Sequence, residues 1–181
     1  MDVHTPAPFA WNYCPICGQA LHLHFDGESE RPHCAPCARF YYRNPAPAVC
    51  CLLRDAEGGL LVVQRAEDPC RGEWSLPGGY MEIAENCEEA VCRELAEETG
   101  LRARDLHFFD VRTQGSATHG AVLLLAYHVE TWGGELCSPD GQSALGFYTK
   151  ENRPPLCFDL HRHLVADFEA WIQGKENMRR A

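Results

Sequence analysis

Three glutamates in one short acidic segment have the residue type and spacing expected of a metal site. Glu94, Glu97 and Glu98 stand at positions i, i+3 and i+4, so on a helix their side chains gather on one face. Like charges at this spacing destabilise a helix, and no lysine is interspersed between them. A hard divalent cation bound by the carboxylate oxygens would turn this repulsion into attraction. The alternative is an ordinary solvated acidic face, and the spacing alone does not separate the two.

A glycine pair lies a short distance before these glutamates. The segment Ser75-Leu76-Pro77-Gly78-Gly79 contains two residues without a Cβ atom, so its backbone can pass close to a helix and turn its carbonyls toward a bound ion. The loop could therefore supply one more oxygen ligand. Val91 and Leu95 lie on a neighbouring face of the helix, and we expect them to pack it against a sheet.

Four cysteines near the start of the chain predict a different kind of metal site. Cys14 and Cys17 form one C-x2-C pair and Cys34 and Cys37 another, with sixteen residues between the pairs. Paired thiols at this separation are typical of a tetrahedral Zn²⁺ site, which is structural because four sulfur ligands leave no open position. The metal would supply the folding energy that a segment of about 40 residues cannot obtain from a core. The alternative is two unrelated thiol pairs.

The other seven cysteines show no ligand spacing. Cys50, Cys51 and Cys92 fall in core-type segments, where a free cysteine behaves as a small hydrophobe. No role is predicted for the remaining four, which are Cys70, Cys87, Cys137 and Cys157.

Composition and charge limit the class of protein. The 181 residues suffice for one ordinary domain and a small appendage. The formal net charge of −10 is opposite in sign to that of most proteins that grip a nucleic-acid backbone, so nucleic-acid binding is disfavoured. No apolar run approaches the roughly 20 residues of a membrane helix, and a secretory signal is not expected. Eleven cysteines then favour reduced thiols and a cytoplasmic location.

The metal-binding segments need a scaffold, and hydrophobic patterning predicts an α/β domain after Asn44. Helices are predicted over Glu85–Thr99, closed by Gly100 in a left-handed cap, and over Leu160–Ile172. Strands are predicted over Val49–Arg54, Leu60–Arg65, Leu106–Val111, Ala121–Val129 and Ala144–Tyr148. The first two strands are joined by a turn, so we expect them to pair as a hairpin. The order of elements implies a mixed sheet between helices.

The segment from Gly79 to Leu101 matches the Nudix box, G-x5-E-x7-R-E-U-x-E-E-x-G-U with U aliphatic, at all nine defined positions. By this resemblance the chain is identified as a Nudix hydrolase, and the resemblance covers the rest of Asn44 to Ile172 more loosely. It implies an α/β/α sandwich with a mixed sheet and cleavage of a diphosphate by water. It also implies Mg²⁺ (or Mn²⁺), which would neutralise the diphosphate and activate that water.

The resemblance implies a role for each residue of the box. The metal ligands would be three carboxylates and one backbone carbonyl, from Glu94, Glu97, Glu98 and one of Gly78 and Gly79, here assigned to Gly79. An ion pair between Arg93 and Glu85 would orient the loop and the helix. The general base is the residue matching Glu94 in some relatives and a later acidic residue in others. Asp140 or Glu135 could serve here, but neither is in the expected register with Phe147-Tyr148, so the base is left open.

A zinc ribbon before a Nudix box resembles the group that includes NADH pyrophosphatases and enzymes that cleave ADP-ribose or dinucleotides. The NADH enzymes carry a Ser-Gln-Pro-Trp signature after the box, whereas the corresponding segment here, Thr113 to His119, has neither proline nor tryptophan. NADH specificity is therefore not supported. Gln114 and His119 are candidates for substrate contacts, and the alternative for His119 is an ordinary solvated histidine.

Together these features predict residues 1–43 as a zinc ribbon, 44–175 as a Nudix hydrolase domain and 176–181 as a C-terminal tail. The expected activity is metal-dependent cleavage of a nucleoside diphosphate linked to another moiety, such as ADP-ribose, FAD or a nicotinamide dinucleotide. The expected partner is a small-molecule nucleotide, with no membrane, and a homodimer is left open. The alternative is a zinc-ribbon protein that binds nucleic acid or a regulator and uses the Nudix domain as a nucleotide sensor. The intact box weighs against this alternative.

Overall fold

The computed structural model describes residues 11–116, 119–138 and 144–180. The chain divides into two compact units. The first is built from the chain up to Ala46 together with Gly115–Val122, and the second from Pro47–Gln114 and Leu123–Ala181. Among the helices of the described residues, none is long and apolar enough to cross a membrane.

The first unit contains a small antiparallel sheet of three strands, β1 (His22–Phe25), β2 (Glu30–Cys34) and β3 (Arg39–Phe40). Asp26 fixes the turn between β1 and β2, because its carboxylate accepts the N–H groups of Glu28 and Ser29, each at 2.9 Å. These backbone hydrogen bonds hold the pKa of Asp26 down to about 2. The turn is thus closed by a charged group that stays ionised.

The interior of this unit is built from thiols rather than aliphatic side chains. Cys14 and Cys34 are only 2% and 0% exposed, whereas Tyr13, Leu23 and Phe25 are each more than 60% exposed. A segment that buries so little apolar surface needs another source of folding energy, and a structural metal is the usual one.

The rest of the chain carries β4 (Ala46–Leu53), β5 (Leu60–Gln64), β6 (Trp74–Ser75), α1 (Cys87–Thr99), β7 (Arg102–Ser116), β8 (Gly120–Gly133), β9 (Leu145–Tyr148) and α2 (Asp159–Arg180). These strands form two three-stranded sheets with the orders β4-β8-β7 and β6-β5-β9. β5 is antiparallel to both of its neighbours, while Trp74 and Leu156 form a parallel bridge. The strand pairings are therefore mixed, as predicted.

The predicted hairpin between the first two strands of the domain is wrong. β4 lies in one sheet and β5 in the other, and within the described residues they share one isolated bridge, between Arg54 and Leu60. Every residue from Ala48 to Leu53 is buried, so β4 is covered on both faces. Such a strand lacks the alternation of polar and apolar residues, and its sequence therefore does not indicate its partner.

The two helices cover opposite faces of the sheet that contains β8. Tyr127 and Val129 belong to one apolar core with Val91 of α1. His128, which stands between them on the strand, contacts Phe168 of α2 instead, with ring centroids 5.1 Å apart. Because successive side chains of a strand point to opposite faces, this sheet lies between the two helices. The arrangement is the predicted α/β/α sandwich.

α1 forms where the sequence predicts it, but begins two residues later. The Asn86 side chain accepts the N–H of Glu89, and the Glu89 side chain accepts the N–H of Asn86, which completes a capping box. Glu85 consequently precedes the helix and belongs to the loop before it. Gly100 closes the helix with φ 71°, the left-handed conformation that was expected.

α2 is longer than predicted and continues past Ile172 to Arg180. Leu164, Val165 and Phe168, which recur at helical spacing, are buried. The last two turns were missed because residues 173–180 lack an apolar repeat, although most of them are residues that favour helices. Part of the segment predicted as a tail is therefore helical.

Two of the three cysteines predicted to be core residues are buried. Cys50 and Cys51 lie within β4 and are buried, but Cys92 is exposed. Cys92 follows Val91 on α1, and one residue turns a helix by about 100°. It is thereby rotated away from the stripe that packs on the sheet, so the prediction for Cys92 is wrong.

Candidate functional site

The glycine loop before α1 runs alongside β4. The N–H of Val49 donates to the Gly79 carbonyl at 2.9 Å, and the N–H of Cys51 donates to the Pro77 carbonyl at 2.8 Å. Gly78 has φ 145°, and a Cβ atom on it would lie 2.2 Å from the carbonyl oxygen of Val49. The two backbones can approach this closely only with glycine at position 78.

The same loop meets the carboxylates of α1. The N–H of Gly78 donates to Oε2 of Glu98 at 2.9 Å. A Cβ atom on Gly79 would lie 2.4 Å from Oε1 of Glu94, so the loop backbone and this carboxylate are in direct contact. The glycine pair thus brings backbone polar groups beside two of the three predicted metal-binding carboxylates.

Arg93 connects the loop, the segment before α1 and the helix itself. Its guanidinium makes two hydrogen bonds to Glu85, from Nε to Oε2 at 2.9 Å and from Nη2 to Oε1 at 2.6 Å. Nη1 donates to Glu94 at 2.7 Å and to Glu97 at 3.2 Å, and Nη2 also donates to the Tyr80 carbonyl at 3.0 Å. The cation offsets the repulsion between carboxylates, which explains how α1 tolerates them.

Glu85 and Glu94 respond differently to this environment. The hydrogen bonds from the Arg93 guanidinium and from the N–H of Glu82 hold the pKa of Glu85 down to about 2. Burial raises the pKa of Glu94, and this effect outweighs the opposing effect of Arg93. Glu85 is therefore a fixed anion, whereas Glu94 has an increased affinity for a proton.

The glutamates of α1 are less tightly gathered than a preformed set of metal ligands. Where the chain is described, two groups of His, Cys, Asp or Glu place three or more ligand atoms within 4.8 Å of one another, and neither includes these glutamates. Arg93 holds Glu94 and Glu97, and the Gly78 N–H holds Glu98. The donor set nevertheless fits a hard divalent cation, because every side-chain donor is a carboxylate oxygen.

Comparison with known proteins identifies the family. The family model described as NUDIX domain matches residues 44–153. The chain belongs to the Nudix family. It is 33% identical to a Methanocaldococcus jannaschii protein named ADP-ribose pyrophosphatase over 134 residues. This aligned segment is 74% of this chain and 78% of that protein. The chain is therefore a Nudix hydrolase, a class that acts on nucleotide substrates and generally uses divalent metals.

Other Nudix relatives carry different names. A Mycobacterium tuberculosis protein named 8-oxo-dGTP diphosphatase 2 is 43% identical over 116 residues, which cover 64% of this chain and 82% of that protein. The Vibrio vulnificus NAD-capped RNA hydrolase NudC is 26% identical over 148 residues, which cover 80% of this chain but 53% of that protein. A crystal structure of the MutT Nudix hydrolase from Burkholderia pseudomallei has a TM-score of 0.61 and 25% identity, covering 68% of this chain and 97% of that one.

The backbone carbonyl that we predict as a metal ligand is already used once in this Nudix domain. The Gly79 oxygen accepts the N–H of Val49 from β4. A carbonyl oxygen has two lone pairs, so this hydrogen bond leaves one for a cation. The assignment of Gly79 as a ligand stays a prediction.

The candidates for the general base of the Nudix reaction lie on two segments. Glu94 faces the glycine loop, as described above. Glu135 is exposed, and its segment passes the end of α1, where the N–H of Cys137 donates to the Thr99 carbonyl at 3.0 Å. Asp140 lies outside the described residues. Glu94 and Glu135 thus both stay candidates for the general base.

The two candidates for substrate contacts, Gln114 and His119, lie near the end of β7 and just before β8. Gln114 is half-buried on β7. His119 is exposed, and its N–H donates to the Ser116 hydroxyl at 3.2 Å. Their roles in substrate binding stay predictions.

The four predicted zinc ligands come together in the first unit. Cys14, Cys17, Cys34 and Cys37 place their Sγ atoms within 4.8 Å of one another. The Sγ atoms of Cys14 and Cys37 are 3.9 Å apart, and those of Cys17 and Cys34 are 3.5 Å apart. Zn–S bonds of about 2.3 Å in a tetrahedron correspond to sulfurs about 3.8 Å apart. The thiols therefore have both the chemistry and the spacing that fit Zn²⁺.

One set of metal-type ligands was missed entirely at the level of the sequence. Cys70, Glu73 and Cys157 place their ligand atoms within 4.8 Å of one another. Cys157 is remote from the other two along the chain, so no spacing rule links it to them, and the folded chain alone brings the three together.

Proposed function

We propose that this Nudix hydrolase cleaves the diphosphate of a nucleoside diphosphate joined to a second moiety, with ADP-ribose, FAD or a nicotinamide dinucleotide as the leading substrates. The observation that carries the proposal is the contact between the glycine loop and the carboxylate face of α1. Gly78 donates to Glu98, and Gly79 contacts Glu94. The backbone of the glycine loop therefore meets two carboxylates of α1 at one place, and carboxylate oxygens suit cations that bridge to a diphosphate.

Glu94, Glu97 and Glu98, with the Gly79 carbonyl, are the proposed ligands of Mg²⁺ or Mn²⁺. When bound, such an ion would neutralise the charge of the diphosphate and lower the pKa of an attacking water. The oxygen-only donor set favours hard cations of this type over cations that prefer sulfur.

Arg93 and Glu85 are proposed as positioning residues. Their ion pair fixes the guanidinium, whose other N–H groups hold Glu94, Glu97 and the Tyr80 carbonyl. Groups that are held before the substrate arrives need less reorganisation during the reaction. Glu94 is the first candidate for the group that accepts the proton of the attacking water, and Glu135 is the second.

The choice of substrate rests on the names of relatives and on charge. The Methanocaldococcus jannaschii relative is named for ADP-ribose and matches over most of both chains, which supports an ADP-ribose-like substrate. Other relatives are named for 8-oxo-dGTP and for NAD-capped RNA, so a nucleoside triphosphate and a capped RNA belong in the same test. The net charge of −10 disfavours the RNA, because a polyanion is repelled by an acidic surface.

The four thiols of the first unit are proposed to hold one structural Zn²⁺, through Cys14, Cys17, Cys34 and Cys37. On this basis we propose residues 1–43 as a zinc ribbon and 44–175 as the Nudix domain, with the tail from 176 continuing α2. All eleven cysteines are free, and reduced thiols of this kind are typical of a reducing compartment such as the cytoplasm.

The test is a substrate panel with Mg²⁺ in ¹⁸O-labelled water. The panel contains ADP-ribose, FAD, NAD⁺, NADH, 8-oxo-dGTP and a short RNA with an NAD cap, and mass spectrometry of the products shows which phosphorus received the label. We expect the highest kcat/KM with ADP-ribose or a dinucleotide, two products that each carry one phosphate or more, and no turnover without a divalent cation. Turnover of 8-oxo-dGTP alone would contradict the proposed substrate class.

Single variants test the carboxylates in the same assay. Glu97→Gln and Glu98→Gln should each lower kcat by about 100-fold or more, since each removes a ligand charge. Glu88→Gln is the matched control, because Glu88 is an exposed glutamate in the first turn of the same helix, and it should retain full turnover. Full activity of Glu97→Gln and Glu98→Gln would show that α1 does not hold the cation.

A further inference from the structure

A second group of sulfur and oxygen ligands lies outside both the carboxylate site and the four thiols of the first unit. One ligand atom each from Cys70, Glu73 and Cys157 lies within 4.8 Å of the other two. Both cysteines are partly buried, and Glu73 is exposed. We infer that these three residues form a binding site for a thiophilic divalent cation of the Zn²⁺ type, with its fourth position open to water or to an external ligand.

The fold brings the three residues together through the backbone of two distant segments. Trp74 and Leu156 form a parallel bridge, and the N–H of Cys157 donates to the Trp74 carbonyl at 2.8 Å. Cys157 is therefore attached directly beside the residue that follows Glu73. Main-chain hydrogen bonds between the two segments therefore hold the three ligand residues near one another.

The loop that carries Cys70 and Glu73 is itself fixed by hydrogen bonds. The N–H of Glu73 donates to the Cys70 carbonyl at 3.0 Å. The main chain of Arg65 donates to the Glu73 carbonyl and accepts the N–H of Gly72, at 2.8 Å each. The Arg65 side chain also donates from Nε to the Pro69 carbonyl at 2.6 Å. A loop held in this way loses little conformational freedom when an ion binds, which favours affinity.

Cys70 has an unusual backbone conformation for its residue type. Its φ is 67°, in the left-handed region, which residues other than glycine adopt uncommonly. The neighbouring Gly72 takes φ 80° in the same turn. A non-glycine residue in this region is retained where the surroundings hold it, and the residue held in this way is one of the two thiols of the group.

The chemistry of the three donors selects a different cation from the carboxylate site. Two thiolates and one carboxylate are typical zinc ligands, and three protein ligands leave one position of a tetrahedron open. Thiolate sulfur is a poor ligand for Mg²⁺, so the two sites would not compete for one ion. The guanidinium of Arg65 lies 5.1 Å from the ring centroid of Phe158, the residue after Cys157, and its positive charge offsets the excess negative charge of three anionic ligands around a divalent cation.

An ion at this position would join the loop before β6 to the segment before α2. β6 leads directly into the glycine loop of the Nudix box, and the N–H of Leu76 donates to Nδ1 of His161 on α2 at 3.1 Å. The cation would therefore fix the segment that leads into the glycine loop. The effect expected from its removal is lower thermal stability.

The inference is tested by counting metal ions in the full chain, purified under reducing conditions in zinc-containing buffer and freed of loosely bound metal by gel filtration. Elemental analysis should show one zinc equivalent fewer in Cys70→Ser and in Cys157→Ser than in the wild type. Cys92→Ser is the matched control, because Cys92 is an exposed cysteine outside the group, and it should retain the wild-type count. Equal counts in the wild type, Cys70→Ser and Cys157→Ser would overturn the inference.

A cobalt titration separates loss of the site from loss of the fold. Replacing all four thiols of the first unit by serine removes that site, so in this variant the remaining thiolate-to-Co²⁺ absorption should come from Cys70 and Cys157. Glu73→Gln, which leaves both thiols intact, should weaken this Co²⁺ binding by about 10-fold or more. A protein that lacks the four thiols of the first unit, keeps its helical circular dichroism and shows no thiolate-to-Co²⁺ band would overturn the inference.

Discussion

Arg93 and Glu85 are joined by two parallel hydrogen bonds, from Nε to Oε2 at 2.9 Å and from Nη2 to Oε1 at 2.6 Å. The pair ties a residue of the loop before α1 to the middle of the helix. Because a guanidinium has five N–H donors in a fixed plane, the same side chain can still reach Glu94, Glu97 and the Tyr80 carbonyl. Glu85 therefore sets the direction in which Arg93 presents its remaining donors.

Arg93→Lys is expected to lower kcat by about 10- to 100-fold while the protein stays folded. A lysine keeps the positive charge but cannot make a two-point contact with Glu85 and also reach two further carboxylates. Loss of such supporting contacts around a metal site commonly costs activity on this scale. Steady-state kinetics with saturating Mg²⁺ provide the measurement.

The control for this substitution is Arg153→Lys. Arg153 donates to Glu169 at 2.8 Å and makes an ion pair in another part of the domain, so a general effect of replacing arginine would appear there as well. Equal kcat values for Arg93→Lys and the wild type would show that activity does not need the two-point hydrogen bond between Arg93 and Glu85.

Gly79→Ala is expected to abolish most activity with little loss of stability. Its Cβ atom would lie 2.4 Å from Oε1 of Glu94, so the carboxylate at the end of a side chain must turn away, and the proposed ligand is displaced. Gly78→Ala should instead lower the melting temperature of the domain. Its Cβ would lie 2.2 Å from the backbone carbonyl of Val49, at φ 145°, and backbone cannot yield as a side chain does.

The two glycine variants are compared by thermal melting and by turnover. Gly174→Ala in α2 serves as the control, because a Cβ atom there meets nothing within 4 Å and alanine favours a helix by about 1 kcal/mol over glycine. It should raise the melting temperature slightly and leave kcat unchanged. A fully active Gly79→Ala protein would contradict the contact between the loop and Glu94.

The elements that the sequence predicts well are those whose signals are local. Gly100 caps α1 and the apolar stripe from Leu164 to Phe168 lies on one face of α2, because capping and helical periodicity act over a few residues. The carboxylates likewise share one helix, and the thiol pairs each lie in one short knuckle. The closeness of the carboxylates on the helix, and of the two cysteines within each knuckle, therefore follows from their spacing in the sequence.

The features that were missed depend on contacts between distant segments. β4 and β5 follow one another along the chain but lie in different sheets. The sequence of a fully buried strand has no polar and apolar alternation that would predict which strand it pairs with. Cys70 and Cys157 meet because Trp74 pairs with Leu156, and this pairing leaves no mark on the spacing of the cysteines. Sequence spacing can identify a site whose residues lie in one element, but not a site whose residues come from two segments that are distant along the chain.

Removal of the Zn²⁺ proposed for the four thiols is expected to unfold the first unit. Cys14 and Cys34 are among the few buried side chains there, so Cys34→Ser should remove both a ligand and the centre of the segment. We expect the loss of one zinc equivalent and rapid cleavage by trypsin within residues 11–46. The helical circular dichroism should persist, because α1 and α2 belong to the second unit.

Cys137→Ser is the control for this proteolysis experiment, since Cys137 is exposed and lies outside both groups of sulfur ligands. It should keep its zinc and its resistance to trypsin. Wild-type resistance of Cys34→Ser after treatment with a zinc chelator would show that the segment folds without metal.

His161 makes the stability of the second unit depend on pH. It is buried, and its Nδ1 accepts the N–H of Leu76 at 3.1 Å. Burial lowers the pKa of His161 from 6.5 to about 4, with a further contribution from the positive charge of Arg65. The folded state therefore favours the neutral ring. Its contribution to stability is present in full above pH 6.5, declines as the pH falls toward 4, and is lost below that value.

His161→Gln is expected to flatten the pH dependence of the unfolding free energy between pH 6.5 and 4. A glutamine side chain can still accept the N–H of Leu76 but does not titrate. A depression of the pKa from 6.5 to about 4 corresponds to about 3 kcal/mol, so the wild type should lose up to that amount more than the variant on acidification. Urea titrations at half-unit pH intervals measure the difference, and His163→Gln, which replaces an exposed histidine two residues away, should follow the wild type. Parallel curves for His161→Gln and the wild type would mean that His161 is as readily protonated in the folded chain as in the unfolded one.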